Sequence, residues 1–98
     1  MPFAVVLAPE AVEDLRRLRA NVQAAVIRSA LETHLRYEPE KISRSRIKRF
    51  RGLRRPQYRL RVGEMRVFYD VSGTTIEVLA IVAKSEAESW LAQFGNPE

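Results

Sequence analysis

Three arginines, Arg59, Arg61 and Arg66, flank the dipeptide Gly63-Glu64 in the stretch QYRLRVGEMRVFYDV from Gln57 to Val71. Tyr58, Leu60 and Val62 alternate with Arg59 and Arg61, and Met65, Val67 and Tyr69 alternate with Arg66, Phe68 and Asp70. Such alternation predicts two strands, each with one face in a core and one in water. Gly63-Glu64 fits a two-residue type II′ hairpin turn, with Gly63 supplying the positive φ at the first central position. The turn predicts a register in which Val62 faces Met65, Arg61 faces Arg66, Leu60 faces Val67 and Arg59 faces Phe68. Apolar side chains then share one face and the arginines the other, with Phe68 among them. Like charges directly opposite each other on a sheet destabilise it by up to about 1 kcal/mol. A polyanion lying across that face would remove the repulsion, so the three guanidiniums are candidates for facing a ligand.

Basic charge is concentrated around this hairpin. The segment from Lys41 to Arg66 holds 11 of the 17 lysines and arginines, including Lys48, Arg49, Arg51, Arg54 and Arg55, and its only acid is Glu64. Ile42, Ile47, Phe50, Leu53 and Tyr58 interrupt the charges, which excludes a disordered basic tail. Ile47 to Arg51 reads as a short edge strand, where exposed Lys48 and Arg49 also discourage edge-to-edge pairing. Over all 98 residues the formal charge is +5 and the pI about 10.2, pointing to an acidic partner.

The elements that must position the hairpin read as follows. Phe3 to Leu7 is a short apolar run, long enough for one buried strand. Pro9 opens a helix whose apolar stripe is Val12, Leu15 and Leu18, with Arg16, Arg17 and Arg19 in its last turn. Asn21 is placed to cap a second helix, in which Val22, Val26 and Ala30, with Ile27 and Leu31, repeat at helical spacing through Leu35 to a break at Glu38-Pro39. Ser72-Gly73 makes a further turn, and Thr75 to Ala83 (TIEVLAIVA) predicts a central strand covered on both sides. Ser85 with Glu88 fits a capping box for a short helix ending near Gly95, and Trp90 beside Leu91 and Phe94 reads as a packing residue. The order β-α-α-β-β-β-α predicts an α+β fold in one domain, residues 1–98: a twisted, mostly antiparallel sheet with the helical hairpin on one face. The other face is expected to be basic and at least partly open.

Several functions have no support in the residues. There is no cysteine, and one histidine (His34) with scattered carboxylates does not make a ligand set, so neither metal nor cofactor is expected. His34, without a carboxylate spaced to orient it, reads as a boundary residue. No apolar run approaches the roughly 18 residues of a membrane span, and Met1-Pro2-Phe3 starts no signal peptide, so a soluble cytoplasmic protein is the default expectation.

FRGL at Phe50 to Leu53, YRLRVGEMRVFYDV at Tyr58 to Val71 and LAIVAK ending at Lys84 together resemble the RelE/ParE family of toxins from bacterial toxin–antitoxin pairs. The likeness, including the element order, spans nearly the whole chain. It implies either a RelE-like endoribonuclease that cuts mRNA on the ribosome without metal, or a ParE-like inhibitor of DNA gyrase. Both kinds are neutralised by a separate antitoxin, here expected to offer an acidic segment. Carried over by position, Arg59 and Arg61 match the two basic residues before the hairpin turn in RelE-like nucleases, and Arg66 the phosphate-contacting arginine after it. Ser85 and Trp90 or Leu91 stand where that family carries an arginine and a tyrosine. Lys84 is the basic residue left there.

On the nuclease reading, the 2′-OH of RNA is the nucleophile and Arg59, Arg61 and Arg66 stabilise the charged phosphate, with Lys84 as acid or base. Lys48, Arg49, Arg51, Arg54 and Arg55 hold the RNA, and Phe68 stacks a base. The other reading is a member that acts by binding alone.

Overall fold

The computed structural model describes residues 2–18 and 22–98. Strand β1 (Ala4–Leu7) leads into α1 (Pro9–Leu18), α2 (Val22–Ala30) and a wide π turn (Leu31–Leu35) that prolongs α2. Then come β2 (Ile47–Arg49), β3 (Leu53–Arg55), β4 (Tyr58–Val62), β5 (Met65–Ser72) and β6 (Thr75–Ala83). A 3₁₀ turn (Lys84–Glu86), α3 (Ala87–Phe94) and β7 (Asn96–Pro97) close the chain. Five strands form one sheet in the order β1-β6-β5-β4-β2, antiparallel except for β1 beside β6. This is the α+β architecture expected, with the short edge strand β2 as its last member. A two-stranded ribbon of β3 and β7 was not foreseen.

The hairpin has the expected register, pairing Val62 with Met65, Arg61 with Arg66, Leu60 with Val67 and Arg59 with Phe68. Gly63 has φ +57°, and no non-glycine residue among those described has a positive φ, so the turn is of the II′ kind. A Cβ at Gly63 would meet nothing within 4 Å, which leaves backbone conformation as the whole penalty. We expect Gly63→Ala to cost about 1 kcal/mol, seen as a melting temperature lower by roughly 4–8 °C. An unchanged melting temperature would mean that the turn rearranges. The second turn lies one residue later than expected, on Gly73-Thr74, because Ser72 still pairs with Thr75.

One face of the sheet carries Leu60, Val67, Tyr69, Ile76, Val78 and Ile81 against Ala11, Leu15, Ala24, Ile27, Leu31 and Leu35 of the helices. Val78 and Ile81 stand three apart, a spacing that would put them on opposite faces of a regular strand. A bulge reconciles them: Phe68 pairs with Ala80 and Tyr69 with Val78, leaving Leu79 as the extra residue. Tyr69 stacks on Tyr58 (5.3 Å between centroids), and its hydroxyl donates to Pro39 O at 2.6 Å, anchoring the segment that follows the π turn.

Four expectations are corrected. The buried stripe of α2 runs through Ala24, Ile27, Leu31 and Leu35, while Val26 is 50% exposed. In α1 Ala11, Asp14 and Leu15 are buried and Val12 faces water. Ser85 falls inside the 3₁₀ turn, so the expected capping box does not form and Glu86 is the residue preceding α3. The second face of the sheet is open only in part, toward the basic hairpin: Phe68, Ala80 and Val82 form an unforeseen separate core under Ala87, Trp90 and Leu91 of α3, with Phe50 beside them. Arg19 and Asn21, expected to close α1 and cap α2, lie outside the described residues.

Candidate functional site

The arginines keep the register that the alternation implies, but not the full exposure expected of a water-facing row. Arg61 is exposed, Arg59 is half-buried and Arg66 is only 7% exposed. Cross-strand partners share a face, so β2 adds Lys48, opposite Arg59, to the same group. Arg66 Nη1 donates to Gly63 O and Met65 O, each at 2.9 Å, which ties its guanidinium to the hairpin turn. Arg59 Nε is buried without a hydrogen-bond acceptor. Burial first, then the charges of Arg66 and Arg61, pull the Arg59 pKa below the usual arginine value. Ion pairs in the described residues use Arg16, Arg17, Arg36, Lys41 and Arg55, and none reaches Arg59, Arg61, Arg66 or Lys48. The group is thus a set of mutually repelling cations with a donor left unused. An anion carrying several oxygens would relieve the repulsion.

Lys84 stands at the same end of the sheet. Its backbone N–H donates to Glu64 O at 2.7 Å, and it lies two residues beyond Val82, the partner of Arg66. Its exposed side chain borders a shallow cleft with Glu64, Ala83 and Ser85. Arg51 and Arg54 are exposed, beyond β2 and on β3.

Three of the residues expected to hold RNA are otherwise engaged. Phe68 is 0% exposed, with Trp90 stacked on its ring (4.9 Å between centroids, 18° apart) and Phe50 tilted against it at 5.9 Å. It offers no face to a base. Arg55 reaches Asp70 at 3.5 Å and Glu77 at 3.2 Å. Arg49 donates to Tyr58 Oη at 3.0 Å and lies over that ring, toward the helix side of the edge.

Trp90 is the packing residue expected, and more. Its indole N–H donates to Glu10 Oε2 at 2.6 Å, fastening α3 to the start of α1. Asp14 went unnoticed in the sequence. Buried in α1, it accepts a hydrogen bond from Ile81 N–H at 2.8 Å, serving β6 beyond the last residue that β1 pairs, and it also receives Arg17. Burial raises its pKa against the lowering effects of Ile81 N–H and Arg17, while Glu10 and Glu86 add to the rise. Its position on the buried stripe, between Ala11 and Leu18, was the available signal. His34 lines a cleft with Glu38, Lys41, Ser43, Arg46 and Ile47, not with Arg59 or Arg66. There burial, and then the charge of Arg46, lower its pKa. No group of metal-binding side chains occurs among the described residues, and no described helix is long and apolar enough to cross a membrane.

A family model described as the ParE toxin of type II toxin–antitoxin systems, parDE, matches residues 5–88. No curated protein matches the sequence. Among solved structures, a chain of the RelBE2 toxin–antitoxin complex of Mycobacterium tuberculosis is similar at 24% identity and TM-score 0.62, over 85% of this chain and 99% of that one. A chain of the archaeal RelE–RelB complex of Pyrococcus horikoshii gives 26% and 0.60, over 86% and 97%. One from the YoeB–YefM complex of Staphylococcus aureus gives 18% and 0.61, over 82% and 94%.

Proposed function

The chain belongs to the ParE toxin family of type II toxin–antitoxin systems, within the RelE/ParE superfamily, and we propose that its basic hairpin face grips the sugar–phosphate chain of an mRNA and cuts it on the ribosome. The observation that carries this reading is the group of Arg59, Arg61 and Arg66, mutually repelling and unpaired with any carboxylate among the described residues. In the proposed step the 2′-oxygen attacks phosphorus, its proton leaves to a base, the bond from phosphorus to the 5′-oxygen breaks, and that oxygen takes up a proton. The guanidiniums hold the charge that grows on the phosphoryl oxygens. They do not exchange protons near neutrality, so Lys84, beside the turn, is assigned that task, with the ribosome orienting the message. Lys48, Arg51 and Arg54 extend the contact along the strand. The solved complexes of similar chains support a separate antitoxin as partner, and an acidic segment would suit this face.

The test is to induce the protein in growing cells and map new 5′ ends on ribosome-bound transcripts. New ends inside coding regions are expected, and Arg61→Ala should reduce them about 10²–10³-fold. Arg61 is exposed, so its loss should leave the fold intact.

A second reading, inhibition of DNA gyrase by binding, is favoured by the sealed aromatic face. Uncut transcripts together with loss of negative supercoiling would establish it in place of the first.

A further inference from the structure

The loop entering β2 and the π turn enclose a cleft of about 300 Å³, lined by His34, Glu38, Lys41, Ser43, Arg46 and Ile47. Glu38 is taken by Lys41 at 3.4 Å, whereas Arg46 has no carboxylate among the described residues. Ser43 Oγ accepts the N–H groups of Arg46 (3.0 Å) and Ile47 (3.1 Å), which uses its lone pairs and leaves its O–H as the free donor. Ser43 N–H also donates to Ile47 O at 3.0 Å, so the loop is closed on itself before any ligand arrives.

Three donors of different kinds therefore face one cleft: the Arg46 guanidinium, the Ser43 hydroxyl and the His34 imidazole. The cleft is joined to the hairpin, because Arg61 N–H donates to Arg46 O at 2.8 Å across the β2–β4 ladder. Neighbouring strands lie only about 4.8 Å apart, so a chain held at Arg61 has a short path over the sheet edge to Arg46. The same hydrogen bonds argue against a peptide. Ser43 occupies both outward backbone groups of Ile47, so an added strand finds no ladder there. Recognition falls to side-chain donors, which suit phosphodiester oxygens.

We propose that this cleft is a second phosphate subsite, which takes a phosphodiester of the same RNA strand whose neighbouring segment lies on the arginine face. The proposal rests on the RNA reading of the hairpin. Its consequence is that length of single strand, and not only local sequence, sets affinity.

The test uses non-cleavable 2′-O-methyl oligoribonucleotides, a dinucleotide and a dodecanucleotide, with binding followed by fluorescence anisotropy across a salt series. Arg46→Ala should weaken the dodecanucleotide and flatten its log K against log [salt] slope by about 0.7, the contribution of one phosphate contact on a single strand. It should leave the dinucleotide unchanged. Ser43→Ala disturbs the loop, so Arg46→Gln is the second variant and should lose the same contact. An unchanged slope and affinity for the dodecanucleotide in both Arg46 variants overturns the subsite. So does a loss confined to binding of an acidic peptide, which would make the cleft a protein contact. Arg61→Ala separates the two readings. If it weakens both oligonucleotides while Arg46→Ala weakens neither, only the subsite fails. If Arg61→Ala changes nothing, the hairpin reading fails first.

Discussion

Replacing Arg59 by methionine should give a protein that is harder to unfold and no longer arrests growth. Arg59 is half-buried, its Nε has no acceptor, and Arg61 and Arg66 repel it. A buried donor left unmade costs about 1–3 kcal/mol, and replacing buried charges by apolar groups of similar size is often neutral or stabilising. Methionine keeps an unbranched stem opposite Phe68 and removes both penalties. The expected gain is about 1 kcal/mol, a rise in melting temperature of roughly 4–8 °C for a domain of this size. Toxicity should fall because the site loses the guanidinium that stands opposite Phe68, between Lys48 and Arg66 on neighbouring strands. Thermal unfolding by circular dichroism and growth after induction measure the two effects separately. Arg59→Lys keeps the charge without the planar fork and should fall between the two in toxicity. A lower melting temperature for the methionine variant would show that Arg59 serves the fold. Retained toxicity would remove it from the site.

The hairpin was legible because everything that defines it is local. Alternation fixes which side chains share a face, and Gly63 fixes the register, so the meeting of Arg61 with Arg66 follows from spacing alone. The cover over Phe68 was not legible. Ala87, Trp90, Leu91 and Phe94 show that α3 has an apolar side, but not which surface receives it. An aromatic between arginines then reads as an exposed platform. The phase of α2 was misread because Val26 is more hydrophobic than Ala24; packing space beneath the helix, not side-chain hydrophobicity, decides that position. The partners of Arg55 come from two strands, Asp70 and Glu77, that meet only through the β5–β6 ladder. The β3–β7 ribbon pairs segments about forty residues apart, at two positions, which is too little for any periodicity to register. What the alternation carried of the expected site is Arg59, Arg61 and Arg66, with Lys48 beside them across the ladder. Contacts made only in the folded sheet engage Phe68, Arg49 and Arg55.

Phe68→Ala should lose a large part of the stability of the domain. The ring is fully buried, covered by Trp90 on one side and flanked by Phe50, and its cross-strand partner is the small Ala80. A cavity left there has a sheet below and a stacked indole above, neither free to collapse into it. Phenylalanine-to-alanine changes in such sites cost about 3–5 kcal/mol, against a total of roughly 5–15 kcal/mol for a typical domain. Urea titration should therefore show a midpoint lowered by a fifth or more, with toxicity falling as the folded fraction falls. Phe68→Leu keeps most of the volume and should cost less than about 1.5 kcal/mol, leaving the toxin active. Trp90→Ala should fall between them, since it uncovers Phe68 and breaks the bond to Glu10 but empties a half-exposed position. A base-stacking role requires the opposite pattern: Phe68→Ala folded as before, with RNA binding weaker by about 1–3 kcal/mol. The leucine variant is decisive, because it removes the aromatic face while the second core stays filled. If that variant is folded and toxic, Phe68 acts by holding α3 against the sheet, and the basic side chains meet the ligand without it.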